Sequence, residues 1–260
     1  MIDALYRLSR YTARASCRLY GLRIASDDQR ARAVAMLVGR AFVTSFRGRF
    51  RMKRVSFVQM KDGTEADYLL LQELEHAHLA GTAERLIEEL RRQGEESLPG
   101  YRITRLEHAL QTATRALRDN ADEDWVVSAL LHDIGDGLAP QNHDRFAAEI
   151  LRPYVRAECT WVVEHHGAFQ MYYYAHHYGW NRHEREKYAD SPHFATCAGF
   201  CERWDQSSFD PDYKSESLDA FVPMIERVFS RKAFSDSVVL PEVQAGLPPA
   251  VPLRATHGSG

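Results

Sequence analysis

The stretch LLHDIGD, residues 130–136, decides the predicted fold, because an apolar run ends there in an adjacent histidine and aspartate. The run from Trp125 to Leu131 predicts a buried helix that delivers His132 and Asp133. Adjacent side chains on a helix point about 100° apart. The pair can therefore bind one metal ion only where the helix ends or bends, and Gly135 permits such a change of direction.

The composition is that of an ordinary soluble globular protein. The chain has 260 residues, of which 45% are hydrophobic and 27% charged, enough for one sizeable core. A formal net charge of −3 gives no global reason to expect binding to nucleic acid or membranes. No run approaches the roughly 18 apolar residues of a membrane span. Four scattered cysteines favour a reducing compartment, so we expect a cytoplasmic protein with neither nucleic-acid nor membrane partners.

Three regions of the chain differ in composition. Residues 1–51 are rich in arginine and contain no lysine. We interpret them as an extension outside the core, with an organelle transit peptide or a basic arm for nucleic acid or lipid as alternatives. Residues 52–232 are the predicted helical core. Residues 233–260, rich in proline and ending in Gly-Ser-Gly, are predicted to form a disordered tail.

Apolar residues recur at helical spacing through the core. The segments predicted to be helical are 67–79, 83–92, 103–117, 125–132, 143–151, 157–167, 194–205 and 218–229. One short alternating run, residues 55–59, is a candidate β-strand. The predicted fold class is therefore all-α, a helical bundle.

Several further side chains have the chemistry to bind metal beside His132 and Asp133. They are His108, His143, His165, His166 and Asp205. Imidazoles and carboxylates together suit iron and similar ions. A single histidine near a helix end is more often an ordinary polar residue than a ligand. Here, however, the candidates occur on successive predicted helices, and a bundle can direct such side chains into one core.

These residues, in this order, resemble the ligands of the HD-domain superfamily, whose members are helical metalloproteins. The similarity is strongest to the HD-type mixed-valent diiron oxygenases, the group of phosphonate-cleaving oxygenase and myo-inositol oxygenase. It rests on Leu106-Glu107-His108, on ALLHD at residues 129–133 and on Trp204-Asp205, and it covers about residues 100–208. The resemblance implies an HD-domain helical bundle with a dinuclear metal site in its core.

The resemblance also implies which residues bind which ion. One iron would be bound by His108, His132, Asp133 and Asp205. The second would be bound by His143, His166 and the bridging Asp133, with His165 as the second choice beside His166. The implied cofactors are two iron ions, with Mn²⁺ or another divalent metal as the alternative.

Two enzyme activities are compatible with these ligands. The first is a diiron oxygenase that uses O₂ to cleave a small hydroxylated substrate, such as a 1-hydroxyphosphonate or a related hydroxy acid. The second is a metal-dependent HD phosphohydrolase acting on a nucleotide or another phosphate ester. A non-enzymatic binding or signalling module is a third possibility. We expect a monomer or a homodimer.

The sequence departs from the phosphonate-cleaving enzyme where that enzyme binds its substrate. Asp136 and Gln170 stand where that enzyme has a histidine and a lysine, Tyr101 replaces a glutamate, and the arginine near the last ligand is shifted to Arg203. A less basic pocket is predicted. The implied catalytic residues are Asp133, Asp136, Tyr101 and Glu107, and the implied substrate-binding residues are Gln170, Tyr173 and Arg203.

An aromatic stretch, residues 169–180, follows the helix of His166. Aromatic faces attract quaternary ammonium groups, so Tyr173 is predicted to contact a cationic part of the substrate. The alternative is that this stretch packs as core or at a dimer contact.

Overall fold

The computed structural model describes residues 53–95 and 100–249, and within these ranges the chain is helical, without a β-strand. The all-α prediction is confirmed. The helices are α1 Glu65–Ala80, α2 Thr82–Gln93, α3 Arg105–Arg118, α4 Glu123–Leu131, α5 His143–Leu151, α6 Ala157–Tyr174, α7 Phe194–Phe200, α8 Leu218–Phe229 and α9 Asp236–Val239. Short 3-10 helices occupy Met60–Asp62, Ala175–Tyr178 and Glu184–Tyr188, and a π-helical turn occupies Cys201–Asp205. The predicted extension, residues 1–51, lies outside the described residues.

The chain divides into two compact units, with the boundary after Gln72. In the first unit, the Asp67 carboxylate accepts hydrogen bonds from the backbone N–H groups of Ser56 and Thr64, at 2.7 and 3.0 Å. The Thr64 N–H contributes most to holding the pKa of Asp67 well below its usual range. The predicted strand over residues 55–59 is wrong, because the Ser56 N–H is bound to this carboxylate instead of to a neighbouring strand.

In the second unit, α4 is the central helix. Residues 124–131 are all buried, and α4 packs against α3, α6 and α8. Asp122 caps its N-terminus by accepting from the Trp125 N–H at 3.2 Å, as a short polar side chain at this position commonly does. An apolar helix covered on several sides ends in the HD pair, so the pair lies inside the bundle.

The segment after α8 differs from the disordered tail that its composition predicts. Residues 233–249 belong to the described part of the chain. The buried Glu158 carboxylate accepts from the N–H groups of Ala245 and Gly246, at 2.9 and 3.2 Å. The Trp125 Nε1–H donates to the Gly246 carbonyl at 3.1 Å. Residues 250–260 lie outside the described residues.

No helix within the described ranges is both long enough and apolar enough to span a lipid bilayer.

Candidate metal centre

Side chains from five separate segments converge at the end of α4. His108 lies in the first turn of α3, and His132 and Asp133 follow the last residue of α4. The others are His143, which begins α5, His166 in α6, and Asp205 at the end of the π-helical turn. The sequence separates these residues by almost one hundred positions, and the bundle brings them together.

Four atoms form the deeper part of the centre. His108 Nε2 lies 3.1 Å from His132 Nε2, 3.4 Å from Asp133 Oδ2 and 3.3 Å from Asp205 Oδ1. His132 Nε2 lies 3.4 and 3.6 Å from the same two oxygens. Donor atoms that bind one ion at about 2.0–2.2 Å are separated from each other by roughly 3–3.6 Å. These four atoms therefore have the spacing of ligands around a single metal ion.

The Asp133 carboxylate faces two pairs of imidazoles. Its Oδ2 atom points to His108 and His132, as given above. Its Oδ1 atom lies 3.3 Å from His143 Nε2 and 3.2 Å from His166 Nε2. A carboxylate divided in this way can bridge two ions.

Backbone carbonyls fix the orientation and tautomer of the four imidazoles. Each Nδ1 atom contacts a carbonyl oxygen: Ser208 for His108 at 2.9 Å, Ala129 for His132 at 2.8 Å, Pro140 for His143 at 3.2 Å and Val163 for His166 at 2.7 Å. A carbonyl can only accept, so Nδ1 carries the proton and Nε2 presents its lone pair to the centre. Metal-binding histidines are usually oriented in this manner.

The charges of the cluster support each other. Burial lowers the pKa of His108, His132 and His166, but the Asp133 and Asp205 carboxylates outweigh burial and raise each pKa above its ordinary value. Burial raises the pKa of both carboxyl groups, but the imidazoles outweigh burial and bring each pKa well below its usual range. The cluster therefore binds positive charge strongly, either protons or metal cations.

One further atom of the cluster lacks a hydrogen-bond partner among the described residues. The Asp205 Oδ2 atom is buried and has no hydrogen-bond partner. A buried carboxylate oxygen without a partner is costly, and coordination to a cation would satisfy it. The donor set of imidazoles and carboxylates suits iron, manganese or zinc. The residues thus fit the implied metals, and the groups His108–His132–Asp205 and His132–Asp133–His166 each offer ligand atoms within 4.8 Å of one another.

The choice between His165 and His166 is decided by the faces of α6. The prediction placed the end of this helix at Gly167, which is wrong, since α6 continues to Tyr174. The helix continues past Gly167, and Phe169 on this continuation is fully buried. His166 points to Asp133, whereas the His165 ring stacks on Trp161 with a centroid distance of 4.2 Å.

Gly135 has a different role from the predicted change of direction. A Cβ atom at this position would lie 2.8 Å from Phe146 Cδ1 and 3.0 Å from the His143 carbonyl oxygen. Glycine is therefore needed because the start of α5 approaches the backbone closely. This approach brings His143 to the centre.

A cavity of about 230 Å³ opens onto the metal centre. Its walls include ligands from both imidazole pairs and Asp205. The other lining residues are Tyr101, Ile103, Thr104, Arg105, Asp136, Gly167, Gln170, Tyr174 and Phe209. The Phe209 ring stacks on His108 with a centroid distance of 4.5 Å. Three predicted residues, Tyr101, Asp136 and Gln170, thus lie where a substrate would reach the centre.

Three other predicted site residues lie away from the cavity. The exposed Glu107 carboxylate accepts from the Thr104 N–H at 2.6 Å and completes the N-terminal capping box of α3, so it is a helix cap. Arg203 is bound to Asp119 and donates to the Pro248 carbonyl at 2.7 Å. Tyr173 packs against the hydrophobic core, and burial raises its pKa to about 12.

The sequence prediction also missed residues that line the cavity. Arg105 lies three positions before His108, one helical turn away, and this spacing could have identified it. Tyr174 lines the cavity and Tyr173 packs against the core, because both lie on α6 and adjacent side chains on a helix point about 100° apart. Phe209 follows the last ligand by four residues in an irregular segment, and no sequence signal marks it.

Comparison with known proteins agrees with this geometry. The family model described as HD domain matches residues 105–202. The chain is also similar to a [1-hydroxy-2-(trimethylamino)ethyl]phosphonate dioxygenase (glycine-betaine-forming) of Leisingera caerulea, with 34% identity over 92 residues, covering 31% of this chain and 47% of that protein. The chain therefore spans about half the length of this curated relative. The residues matched by the HD-domain model include five of the six candidate ligands, His108 through His166.

Proposed function

We propose that this chain, in which residues 105–202 form an HD domain, is a non-haem diiron oxygenase that oxidatively cleaves a small hydroxylated substrate. The observation that carries the proposal is the Asp133 carboxylate, whose two oxygens face separate imidazole pairs at 3.2–3.4 Å. A site for a single metal ion would not need the two oxygens of one carboxylate to face separate imidazole pairs. A 1-hydroxyphosphonate or a related hydroxy acid is the substrate class.

The two ions would have unequal surroundings. The first would be bound by His108, His132, Asp133 and Asp205, and two of these side chains, His132 and Asp205, are almost completely buried. The second would be bound by His143, His166 and the other Asp133 oxygen. With three protein ligands at the cavity wall, the second ion would keep positions for substrate.

The chain's own residues position the substrate and exclude water. Bound iron ions would supply the redox capacity for reaction with O₂ and the Lewis acidity that organises the substrate hydroxyl. The carbonyl contacts of the four Nδ1 atoms hold the ligands rigidly. Ile103 and Phe209 also line the cavity and give part of its surface an apolar character.

The aromatic residues that line the cavity favour a substrate with a cationic group. The relative's name describes a substrate with a trimethylamino group. In this chain, Tyr101, Tyr174 and Phe209 line the cavity, and each such ring contributes roughly 0.5–2 kcal/mol to binding a cation. A hydroxylated substrate with a quaternary ammonium group is therefore the first candidate to test, with Tyr174 in the role that the sequence assigned to Tyr173.

The test is metal content and low-temperature electron paramagnetic resonance on protein purified without oxygen and then partly oxidised. We expect about two irons per chain and a mixed-valent signal that changes when hydroxyphosphonates are added, together with O₂ consumption. Redox-silent divalent ions and release of phosphate from nucleotides or other esters would instead establish the phosphohydrolase. The Asp133→Ala variant should lose tight binding of both ions, and retention of both would refute a bridging role.

A further inference from the structure

An ion pair spans the cavity wall beside the metal centre. The Arg105 guanidinium, in the first turn of α3, pairs through Nη1 with Asp136 Oδ2. Both side chains are mostly covered, with 14% and 22% exposed, and both line the cavity. Arg105 is one helical turn from His108, and Asp136 is three residues after Asp133. The pair therefore connects two of the segments that carry the candidate ligands.

The charges of the cavity give Arg105 a particular importance. Among the described residues that line the cavity, it is the one side chain with a permanent positive charge. The Asp133 and Asp205 carboxylates face the imidazoles, at 3.2–3.6 Å. Within the described part of the chain, Arg105 is thus the lining cation that an anionic group entering the cavity can meet besides bound metal ions.

A guanidinium has donors to spare for a second anion. It carries five N–H groups in a planar fork, and a single carboxylate uses at most two of them. Oxyanions such as phosphonate, phosphate and carboxylate match this fork. Arg105 can therefore bind a substrate oxyanion while it shares or gives up its contact with Asp136.

We propose that Arg105 binds the oxyanion of the substrate and that Asp136 positions Arg105 and competes with that oxyanion. The proposal rests on the assignment of the cavity as the substrate site, but it does not depend on whether the reaction is an oxygenation or a hydrolysis. Asp136 lowers the affinity for anions and keeps the guanidinium in place. The pair therefore determines the affinity and the selectivity for anionic substrates.

This role gives the two partners opposite effects on binding. Removal of the Arg105 charge weakens the binding of anions. Removal of the Asp136 charge leaves Arg105 available and strengthens the binding of anions. A pair that merely stabilised the fold would give changes in the same direction for both variants.

The experiment measures ligand binding by calorimetry under anaerobic conditions, with metal-loaded protein and two probes, hydroxymethylphosphonate and glycolate. For Arg105→Gln, we expect at least about tenfold weaker binding of both probes, the size expected for a lost charge-assisted hydrogen bond. For Asp136→Asn, we expect tighter binding. The double variant should bind as weakly as Arg105→Gln alone. A phosphonate-specific effect would restrict Arg105 to phosphonate and phosphate groups and overturn the broader oxyanion role.

Two controls separate recognition from damage to the site. Arg102→Gln removes the same charge from an exposed position that does not line the cavity, and it should bind both probes like the wild type. Metal content, and binding of nitric oxide as a neutral iron ligand, should be unchanged in Arg105→Gln. Wild-type affinity in Arg105→Gln, or weaker binding in both single variants, would overturn the proposal.

The same titrations with Mn²⁺-loaded protein distinguish this proposal from the oxygenase. Loss of anion binding in Arg105→Gln with Mn²⁺, together with no O₂ consumption by the iron form, would reject the oxygenase and retain the role of Arg105. O₂ consumption with unchanged anion binding in Arg105→Gln would do the reverse.

Discussion

At the scale of residues, orientation more than residue type distinguishes a ligand from an ordinary histidine. His165 and His166 are neighbours with the same chemistry, and both Nδ1 atoms contact a backbone carbonyl of α6, at 2.8 and 2.7 Å. They differ in the groups that surround the second ring nitrogen, Nε2. The His166 Nε2 faces Asp133, whereas His165 lies among Trp161 and Tyr188.

This difference makes the two residues a matched pair of variants. In His166→Ala, we expect the metal content to fall from about two ions per chain to about one, since three-ligand sites tolerate the loss of a ligand poorly. In His165→Ala, the metal content should stay as in the wild type. Metal analysis after gel filtration gives the result, and equal losses in both variants would contradict the assignment.

The pKa values of the cluster predict how stability depends on pH in the chelator-treated protein. The pKa values of His108, His132 and His166 are raised, so their stabilising contribution is present below about pH 6.5, the unfolded value, and is lost as the pH rises through the folded values. Those of Asp133 and Asp205 are lowered, so their contribution is present above about pH 4. The metal-free protein should therefore lose stability as the pH rises above about 6.5.

Bound metal should reverse this trend, because ions require neutral imidazoles. Thermal unfolding is measured at several pH values, with and without chelator. The difference in unfolding temperature between the metal-bound and the metal-free protein should increase as the pH rises. The control is the variant in which Asp133 and Asp205 are both Asn, whose metal-free form should lose much less stability over this range. An equal loss in that variant would assign the pH dependence to other groups.

At the scale of elements, the ends and irregularities of helices place the ligands. Helix α4 ends at Leu131, and His132 and Asp133 are the first two residues after it; His132 keeps helical backbone angles, φ −57° and ψ −32°. The π-helical turn Cys201–Asp205 replaces the regular helix that the sequence predicts there. An extra residue per turn changes the direction of the side chains that follow. Asp205 is the last residue of this turn.

The close approach of α5 at Gly135 is open to a direct test. Gly135→Ala would place a methyl group against Phe146 and the His143 carbonyl, at 2.8 and 3.0 Å, and should displace His143 and weaken binding of the second ion by about tenfold or more. Gly137→Ala is the matched control, since its Cβ meets only the end of the flexible Arg92 side chain, at 2.9 Å. Competition with a chelator measures both affinities, and equal values would show that α5 adjusts freely.

At the scale of the whole second unit, the C-terminal segment is part of the core and not an appendage. Glu158 is buried, and its carboxylate accepts from Thr196 as well as from the N–H groups of Ala245 and Gly246. Leu247 packs against the core, and the Pro248 carbonyl accepts from Arg203. This segment contacts the helix that carries His166 and the turn that carries Asp205.

Removal of these contacts should destabilise the protein. A chain that ends at Gln244 would leave the Glu158 carboxylate without its backbone donors, and it should be less stable than a chain that ends at Pro249 by about 2–4 kcal/mol. Urea unfolding of the two chains, compared at equal metal loading, measures the difference. Equal midpoints would mean that the segment contributes nothing to the core.

The local patterns of the sequence were sufficient to predict most of the helices, although the end of α6 and the π-helical turn differ from the prediction. Apolar residues at helical spacing act between neighbours in the chain, and α5 and α8 begin and end where the sequence predicts them. The order of His108, His132, Asp133, His143, His166 and Asp205 indicated the HD domain, which the family model confirms over residues 105–202.

Only the tertiary structure decided which side chains face the cavity. Glu107 and Arg203 were assigned to the site from the resemblance and Tyr173 from the aromatic stretch. In the structure, Glu107 caps α3, Tyr173 packs against the core and Arg203 pairs with Asp119. Arg105 and Phe209 enter the cavity through the packing of α3 and of the segment after Asp205. The proline-rich C-terminal segment is held by a carboxylate almost ninety positions away. Such contacts depend on how separate elements meet, and composition and periodicity carry no information about that.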